Sequence, residues 1–418
     1  MMISLLKTIF TGIVFSCYFF PFEFTFLPGI NTKMILAVVG LLLLVIRWGK
    51  NREVNTSKEM LLVSAWAIFF SLISLFAVTY NDTTDYVYAT YIVKMWVWLA
   101  AAYSVLALIK EIHKDISVQL VFHYMAWVCA VQSVLGIVID NVPAVQSMVD
   151  EYILHDVEFL HKTRRLYGIG AFFDTAGIRF SCALLGLGYL LTHNVSRYWF
   201  VIYWVLFFLI ATLGNMMSRT TTVGLFLSLI YITVNNLSFN VILTLSKMRT
   251  FAAVAILTIL AAVSLYYGYN NSPIVRHYLQ YGFEVFFNFF NSGELSTSST
   301  TKLQQMVVWP DNLKTWIIGD GWFDNPENPG SFYKYTDVGY LRFIFYCGTL
   351  GLTAFILFFV YCTYVLIKKW REETWLFLLM LILVLLVWIK ISTDIFCMYA
   401  LLLLLDSKDN SIRNKVLN

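Results

Sequence analysis

Long apolar runs alternate with short polar segments along most of the chain. A membrane-spanning helix needs about 20 mostly apolar residues, and eleven runs approach or exceed that length. The last run is too long for one straight helix and is interrupted at residues 390–394, so it predicts two helices joined by a tight turn. The pattern therefore predicts an all-α polytopic membrane protein with about twelve transmembrane helices. The runs fall near residues 3–20, 34–48, 60–78, 91–109, 116–139, 176–192, 198–214, 220–235, 250–268, 338–367 and 374–405.

Composition supports the same class. Apolar residues make up 59% of the 418 positions and charged residues only 13%, whereas a soluble domain is about one quarter charged. This excludes a soluble enzyme and a disordered chain. The net charge of +4 is too small to indicate a nucleic-acid partner. All six cysteines lie inside apolar runs without metal-ligand spacing, which predicts neither disulfides nor a metal site.

The distribution of Lys and Arg predicts the orientation in the membrane. Fifteen of these cations fall in the even-numbered loops and the C-terminal tail, and residues 79–90 contain none. Because cations accumulate on the cytoplasmic side, we expect both termini in the cytoplasm. We interpret the first run as an uncleaved helix, and residues 1–418 as a single integral membrane domain.

Two predicted outer loops are unusually long. One spans residues 140–175, and the other spans residues 269–337, before the last three helices. Loops of this length are often functional. The larger one contains two amphipathic stretches, Val275–Phe290 and Leu303–Ile318, which are typical of helices in the membrane interface.

Positive charges on the outer side are an exception to the orientation rule. Burying a cation in lipid is costly. A group of cations on the outer side therefore indicates an anionic ligand, and a lipid diphosphate is the simplest such ligand. The arginine fork binds phosphate oxygens in a bidentate way. The alternative to diphosphate binding, for any single arginine, is that its side chain reaches lipid headgroups. Arg219 could also pair with a carboxylate inside the protein. Arg179 could instead pair with Asp174. The arginines are Arg165, Arg179, Arg219, Arg276 and Arg342.

Three segments carry short motifs in a fixed order. They are Arg165–Asp174 (Arg-Leu-Tyr-Gly-Ile-Gly-Ala-Phe-Phe-Asp), Met217–Thr220 (Met-Ser-Arg-Thr), and Ile318–Gly351, which includes Gly319-Asp320-Gly321, Asp337-Val338-Gly339-Tyr340 and Gly348-Thr349-Leu350-Gly351. In order, spacing and predicted topology these segments resemble the superfamily of O-antigen polymerases and O-antigen ligases. The resemblance covers about residues 160–405.

The resemblance implies glycosyl transfer without a metal or cofactor, at the outer face of the bacterial cytoplasmic membrane. The donor and the acceptor would be glycans linked to undecaprenyl diphosphate, and the five arginines would bind the diphosphate. Membrane lipids and a chain-length regulator are the other expected partners. A ligase of the family is expected to use a histidine in the last large outer loop, but no histidine occurs between positions 278 and 418. This favours a polymerase of O-antigen, capsule or exopolysaccharide units.

A base must still deprotonate the acceptor hydroxyl. We expect Asp337 or His277 in this role. The alternatives are helix capping for Asp337 and a solvated loop side chain for His277. Two other functions stay open: a flippase or exporter of lipid-linked sugar, and a glycosyltransferase of the many-helix lipid-phosphate-sugar type.

Overall fold

A computed structural model describes residues 2–51, 57–163, 165–193, 196–236, 245–328 and 330–406. Helices dominate this part of the chain. They are α1 (Met2–Phe19), α2 (Thr32–Asn51), α3 (Lys58–Tyr80), α4 (Tyr91–His113), α5 (Val118–Asn141), α6 (Pro143–Tyr152), α7 (Val157–Thr163), α8 (Phe173–Thr192), α9 (Arg197–Met217), α10 (Thr221–Asn236), α11 (Leu245–Asn271), α12 (Pro273–Gly282), α13 (Glu284–Ser292), α14 (Ser298–Gln305), α15 (Leu313–Ile317), α16 (Gly339–Lys369), α17 (Thr374–Val387) and α18 (Phe396–Leu404).

Extended structure is limited to three short strands: β1 (Glu23–Phe24), β2 (Leu27–Asn31) and β3 (Ile153–Leu154). They form one antiparallel sheet in the order β2-β1-β3. The β3 strand lies in the predicted outer loop 140–175, so this loop is tied by backbone hydrogen bonds to the segment that follows α1.

The helices fall where the apolar runs predicted them. In the described residues, seven helices are long and apolar enough to cross a membrane: α2, α3, α4, α5, α8, α9 and α16. This confirms an all-α membrane-embedded protein. The final run is divided into α17 and α18 as predicted, with the break at residues 388–395. That twelve helices span the membrane, and that the long loops lie outside, remain predictions.

The chain divides into two compact units. The first unit comprises Met1–Lys33, Val105–Leu295 and Leu405–Asn418, and the second comprises Met34–Ser104 and Ser296–Leu404. Both units are discontinuous in sequence, so each is held together by tertiary contacts between distant segments rather than by chain neighbours.

In the first unit, α8 packs against α5, α9 and α10. Small residues allow its close approach to α10: a Cβ added to Gly224 would collide with Ser181, and one added to Gly177 would collide with Ser218. The Ser181 hydroxyl donates to the carbonyl of Thr220 at 2.9 Å and accepts from the amide of Gly224 at 3.2 Å. These contacts fix the short α9–α10 connection, residues 218–220, against the first turns of α8.

In the second unit, α16 packs along α3 and is interrupted at Cys347 and Gly348, where Gly348 has a φ of 66°. The interruption frees carbonyl groups that a regular helix would use. The amide of Asp320 donates to the carbonyl of Phe345 at 2.6 Å, and the amide of Gly321 to that of Tyr346 at 3.0 Å. The predicted Gly-Asp-Gly turn therefore docks onto the break in α16.

Candidate functional site

Arg219 lies in the connection between α9 and α10. Its Nε donates to the carbonyl of Tyr281 at 2.9 Å, and its Nη1 is 2.6 Å from Oε2 of Glu284. The guanidinium carbon also lies 4.2 Å from the centre of the Tyr281 ring. The side chain is only 15% exposed. The internal carboxylate considered in the sequence analysis therefore exists, and it is Glu284.

Arg165 lies at the same tyrosine. Its guanidinium carbon is 5.1 Å from the centre of the Tyr281 ring and 6.0 Å from that of Phe159. Its Nε is buried and has no hydrogen-bond partner in the described part of the chain. Burial raises the pKa of the Tyr281 hydroxyl, and the charges of Arg165 and Arg219 oppose that rise. Two of the predicted phosphate-binding arginines are thus brought together at one aromatic ring.

An open cleft of about 370 Å³ adjoins Arg219. This is near the lower end of the range for small-ligand sites, about 300–1,000 Å³. Its charged or titratable lining residues are Arg219, Glu284 and His277, and the others are aromatic rings and side-chain amides. The full lining is Arg219, Tyr269, His277, Gln280, Tyr281, Glu284, Phe287, Asn288 and Asn291. This set suits a ligand that carries both an anionic group and sugar-like hydroxyls.

Asp174 binds the residues on either side of Arg219 in the α9–α10 connection. Its Oδ1 accepts from the hydroxyl of Ser218 at 3.2 Å and from that of Thr220 at 2.8 Å. The hydroxyl groups on both sides of Arg219 are therefore fixed by one carboxylate in the first turn of α8. The sequence pointed to both motifs, but it did not show that they contact each other. Arg179, farther along α8, has its guanidinium carbon 5.6 Å from the centre of the Phe20 ring.

The neighbours Arg276 and His277 differ in their surroundings. Arg276 donates from Nε to the carbonyl of Tyr269 at 2.9 Å and from Nη2 to that of Asn270 at 3.1 Å. It thus satisfies carbonyl groups at the C-terminal end of α11, where a cation is also favoured by the helix dipole. His277 is exposed and lines the cleft beside Arg219.

Asp337, a predicted base, and Arg342, a predicted phosphate-binding arginine, contact each other in the second unit. Nη1 of Arg342 is 3.7 Å from Oδ1 of Asp337. The guanidinium carbon lies 3.8 Å from the ring centre of Phe323 and 3.5 Å from that of Phe332. Arg342 is 6% exposed, and its Nε and Nη2 have no hydrogen-bond partner among the described residues. Arg342 is therefore a buried cation held mainly by two aromatic rings.

Asp85, from the connection between α3 and α4, binds the backbone of the segment that carries Phe323. Its Oδ2 accepts from the amides of Phe323 and Asp324 at 2.8 and 3.2 Å. Burial raises the pKa of Asp324, and the charge of Asp85 raises it further. No sequence pattern indicated Asp85, because it lies 238 positions from the Phe323 amide that donates to it.

A further carboxylate, Asp320, organises the segment between α15 and α16. It accepts from Lys314 at 2.9 Å, from the Thr315 hydroxyl at 2.7 Å and from the Tyr333 hydroxyl at 3.3 Å. Burial and the charge of Asp320 raise the pKa of Tyr333 to about 12.

The capping role considered for Asp337 does not fit the helix boundary: the N-cap of α16 is Val338, which provides no side-chain cap.

Within the described ranges, no three His, Cys, Asp or Glu side chains are grouped as ligands for a metal ion. Transfer without a metal stays a prediction. Comparisons of the chain with protein-family models, with curated proteins and with solved structures find no match. Any assignment of a reaction therefore depends on the arrangement of the chain's own residues.

Proposed function

We propose that the protein polymerises oligosaccharide repeat units linked to undecaprenyl diphosphate, at the outer face of the bacterial cytoplasmic membrane. The observation that carries this proposal is the pair of arginines at Tyr281, beside a cleft lined by aromatic rings and amides. Guanidinium groups bind phosphate oxygens, and the neighbouring lining suits a sugar. A ligand with a phosphate joined to a sugar matches both parts of the cleft.

The chemistry requires two functions from the protein. Arginines neutralise the diphosphate, which makes it a good leaving group from the anomeric carbon. A base accepts the proton of the acceptor hydroxyl, an effect worth about 10²–10⁴-fold. His277 lines the same cleft as Arg219, whereas Asp337 belongs to the group around Arg342 in the second unit. Apart from Arg219, the cleft residues lie between positions 269 and 291, within the loop 269–337 whose predicted position is outside the membrane.

The choice of polymerase over ligase comes from the sequence. By the resemblance, a ligase would need a histidine in the last large outer loop, and positions 278–418 contain none. A polymerase joins lipid-linked units to each other, so its loss leaves single repeats on the carrier lipid. The presence of single repeats distinguishes a polymerase from a ligase, and their position on the outer face distinguishes it from a flippase.

Complementation of a deletion strain tests the proposal. We expect Arg219→Ala to abolish long polymer and to leave single lipid-linked repeats, while the protein still accumulates in the membrane. Arg197→Ala is a matched control, because this exposed arginine lies at the opposite end of α9; it should leave polymer unchanged. Gel profiles of the glycan and mass spectrometry of extracted carrier lipid measure both outcomes.

Two other results of the same experiment would replace the proposal. If the deletion strain made full-length polymer on the carrier lipid but did not attach it to its final acceptor, the protein would be a ligase. If single repeats stayed on the cytoplasmic face, where an external glycosidase cannot reach them, it would be a flippase.

A further inference from the structure

Glu284 is the acidic side chain closest to the proposed diphosphate position in the described part of the cleft. Its Oε2 lies 2.6 Å from Nη1 of Arg219, and the side chain is 23% exposed. It is the first residue of α13, so a helix fixes its backbone. The carboxylate is therefore both reachable from the cleft and held in place at the arginine.

A diphosphate that binds Nη1 of Arg219 competes with Glu284, which already contacts that nitrogen. The Nε of Arg219 is already used by the carbonyl of Tyr281, and Nη1 is the group that Glu284 occupies. A diphosphate carries more negative charge than a carboxylate, so when it binds it displaces the Glu284 carboxylate from the guanidinium group of Arg219. The Glu284 oxygen that was bonded to Nη1 of Arg219 can then accept a hydrogen bond from the acceptor hydroxyl.

We propose that Glu284 is the general base of the transfer, and that binding of the donor activates it by displacing it from Arg219. This inference rests on the proposed function. The acceptor hydroxyl gives its proton to the Glu284 carboxylate while its oxygen forms a bond to the anomeric carbon of the donor. The bond from that carbon to the diphosphate oxygen breaks, and undecaprenyl diphosphate leaves with the electron pair. Glu284 then releases the proton to water.

Other groups in the cleft fit this role less well. The amides of Gln280, Asn288 and Asn291 do not accept protons under ordinary conditions. His277 is exposed, and no hydrogen bond ties its ring to Arg219 among the described residues. Glu284 contacts the arginine directly, so it lies within a few ångströms of any phosphate held there. The anomeric carbon is attached to that phosphate, which places the reacting hydroxyl near Glu284.

The test compares binding and transfer in the purified full-length protein in lipid nanodiscs. Lipid-linked repeats extracted from the deletion strain serve as substrate, and undecaprenyl diphosphate serves as the binding probe. We expect Glu284→Gln to lower transfer about 10²–10⁴-fold and to bind the probe at least as tightly as the unmodified protein, because a competing charge is lost. Glu294→Gln, an exposed glutamate beyond α13, is the matched control and should change neither quantity.

Glu284→Asp keeps a carboxylate on a shorter side chain, and it should retain more transfer than Glu284→Gln. Transfer by Glu284→Gln at the rate of the unmodified protein would overturn the inference and leave the proposed function intact. Loss of probe binding in Glu284→Gln would show that the carboxylate only holds Arg219 in place, and would also overturn it. If the unmodified protein neither bound the probe nor made polymer, the proposed function itself would fail.

Discussion

Replacing Arg219 by lysine keeps a positive charge in the cleft and removes the guanidinium fork. In the structure, Arg219 donates to the Tyr281 carbonyl, pairs with Glu284 and lies over the Tyr281 ring. An ammonium group is a compact point charge that does not reproduce these three contacts together. We expect Arg219→Lys to retain the fold and to lose most of its affinity for the lipid diphosphate.

The size of the effect follows from the contacts. A lysine at position 219 can still pair with Glu284, so the Glu284 carboxylate keeps a cationic neighbour. The fold loses chiefly the hydrogen bond to the Tyr281 carbonyl, which lowers the free energy of unfolding by about 1 kcal/mol. Binding of the diphosphate loses one of two parallel charge-assisted hydrogen bonds, each worth about 1.5–3 kcal/mol. This corresponds to about 10- to 150-fold weaker binding.

The assay titrates undecaprenyl diphosphate onto the purified protein in nanodiscs and measures polymer length in the complemented strain. Arg197→Lys controls for the change of side chain at an exposed position on α9. Thermal unfolding of each variant reports the fold separately from binding.

Full affinity and full polymer length in Arg219→Lys would refute bidentate phosphate binding at this position. Disappearance of Arg219→Lys from the membrane, together with a large loss of thermal stability, would instead show that Arg219 serves mainly as a structural partner of Glu284.

Three further predictions concern topology, the predicted bases and the second unit. Reporter fusions at Ser298 should be outside and those at Lys369 in the cytoplasm. The opposite result would contradict the predicted orientation, and both reporters on the same side would contradict the twelve-helix arrangement. With Glu284 as the base, Asp337→Asn and His277→Ala should both retain long polymer on a gel; single repeats without long polymer in either variant would instead identify that residue as the base. Arg342→Ala leaves a gap between two aromatic rings and removes the cation beside Asp337, so we expect a loss of about 2–4 kcal/mol in the free energy of unfolding. Arg342→Lys should restore only part of it; an unchanged unfolding temperature would contradict the packing described for Arg342.

The helical architecture was predictable from the sequence because it depends on local properties. An apolar run in lipid must satisfy its backbone hydrogen bonds internally, and a helix achieves this within one segment. The break before α18 was predictable for the same reason, since Lys390 and Asp394 interrupt the final run and the structure separates α17 from α18 there. The break inside α16 was not predicted, although Gly348 is the residue that its positive φ requires.

The motifs also gave part of the candidate site. Arg219 was identified because it stands between two apolar runs with almost no polar loop around it. Arg165 was identified through its motif and its place in an outer loop. These signals indicate which residues carry charge at unusual positions, but not which groups they contact.

Only the tertiary structure determined the partners of these charges. Arg219 binds a carbonyl 62 positions away, and Asp174 holds a threonine 46 positions away. Such pairs form because whole helices pack against one another and close long loops, and no local pattern records which segments will meet. No sequence pattern singled out Glu284, and Asp85 belonged to a segment noted only for its lack of cations. Their roles arise from helix packing, which brings each one to a buried group that needs a charge or a hydrogen-bond acceptor.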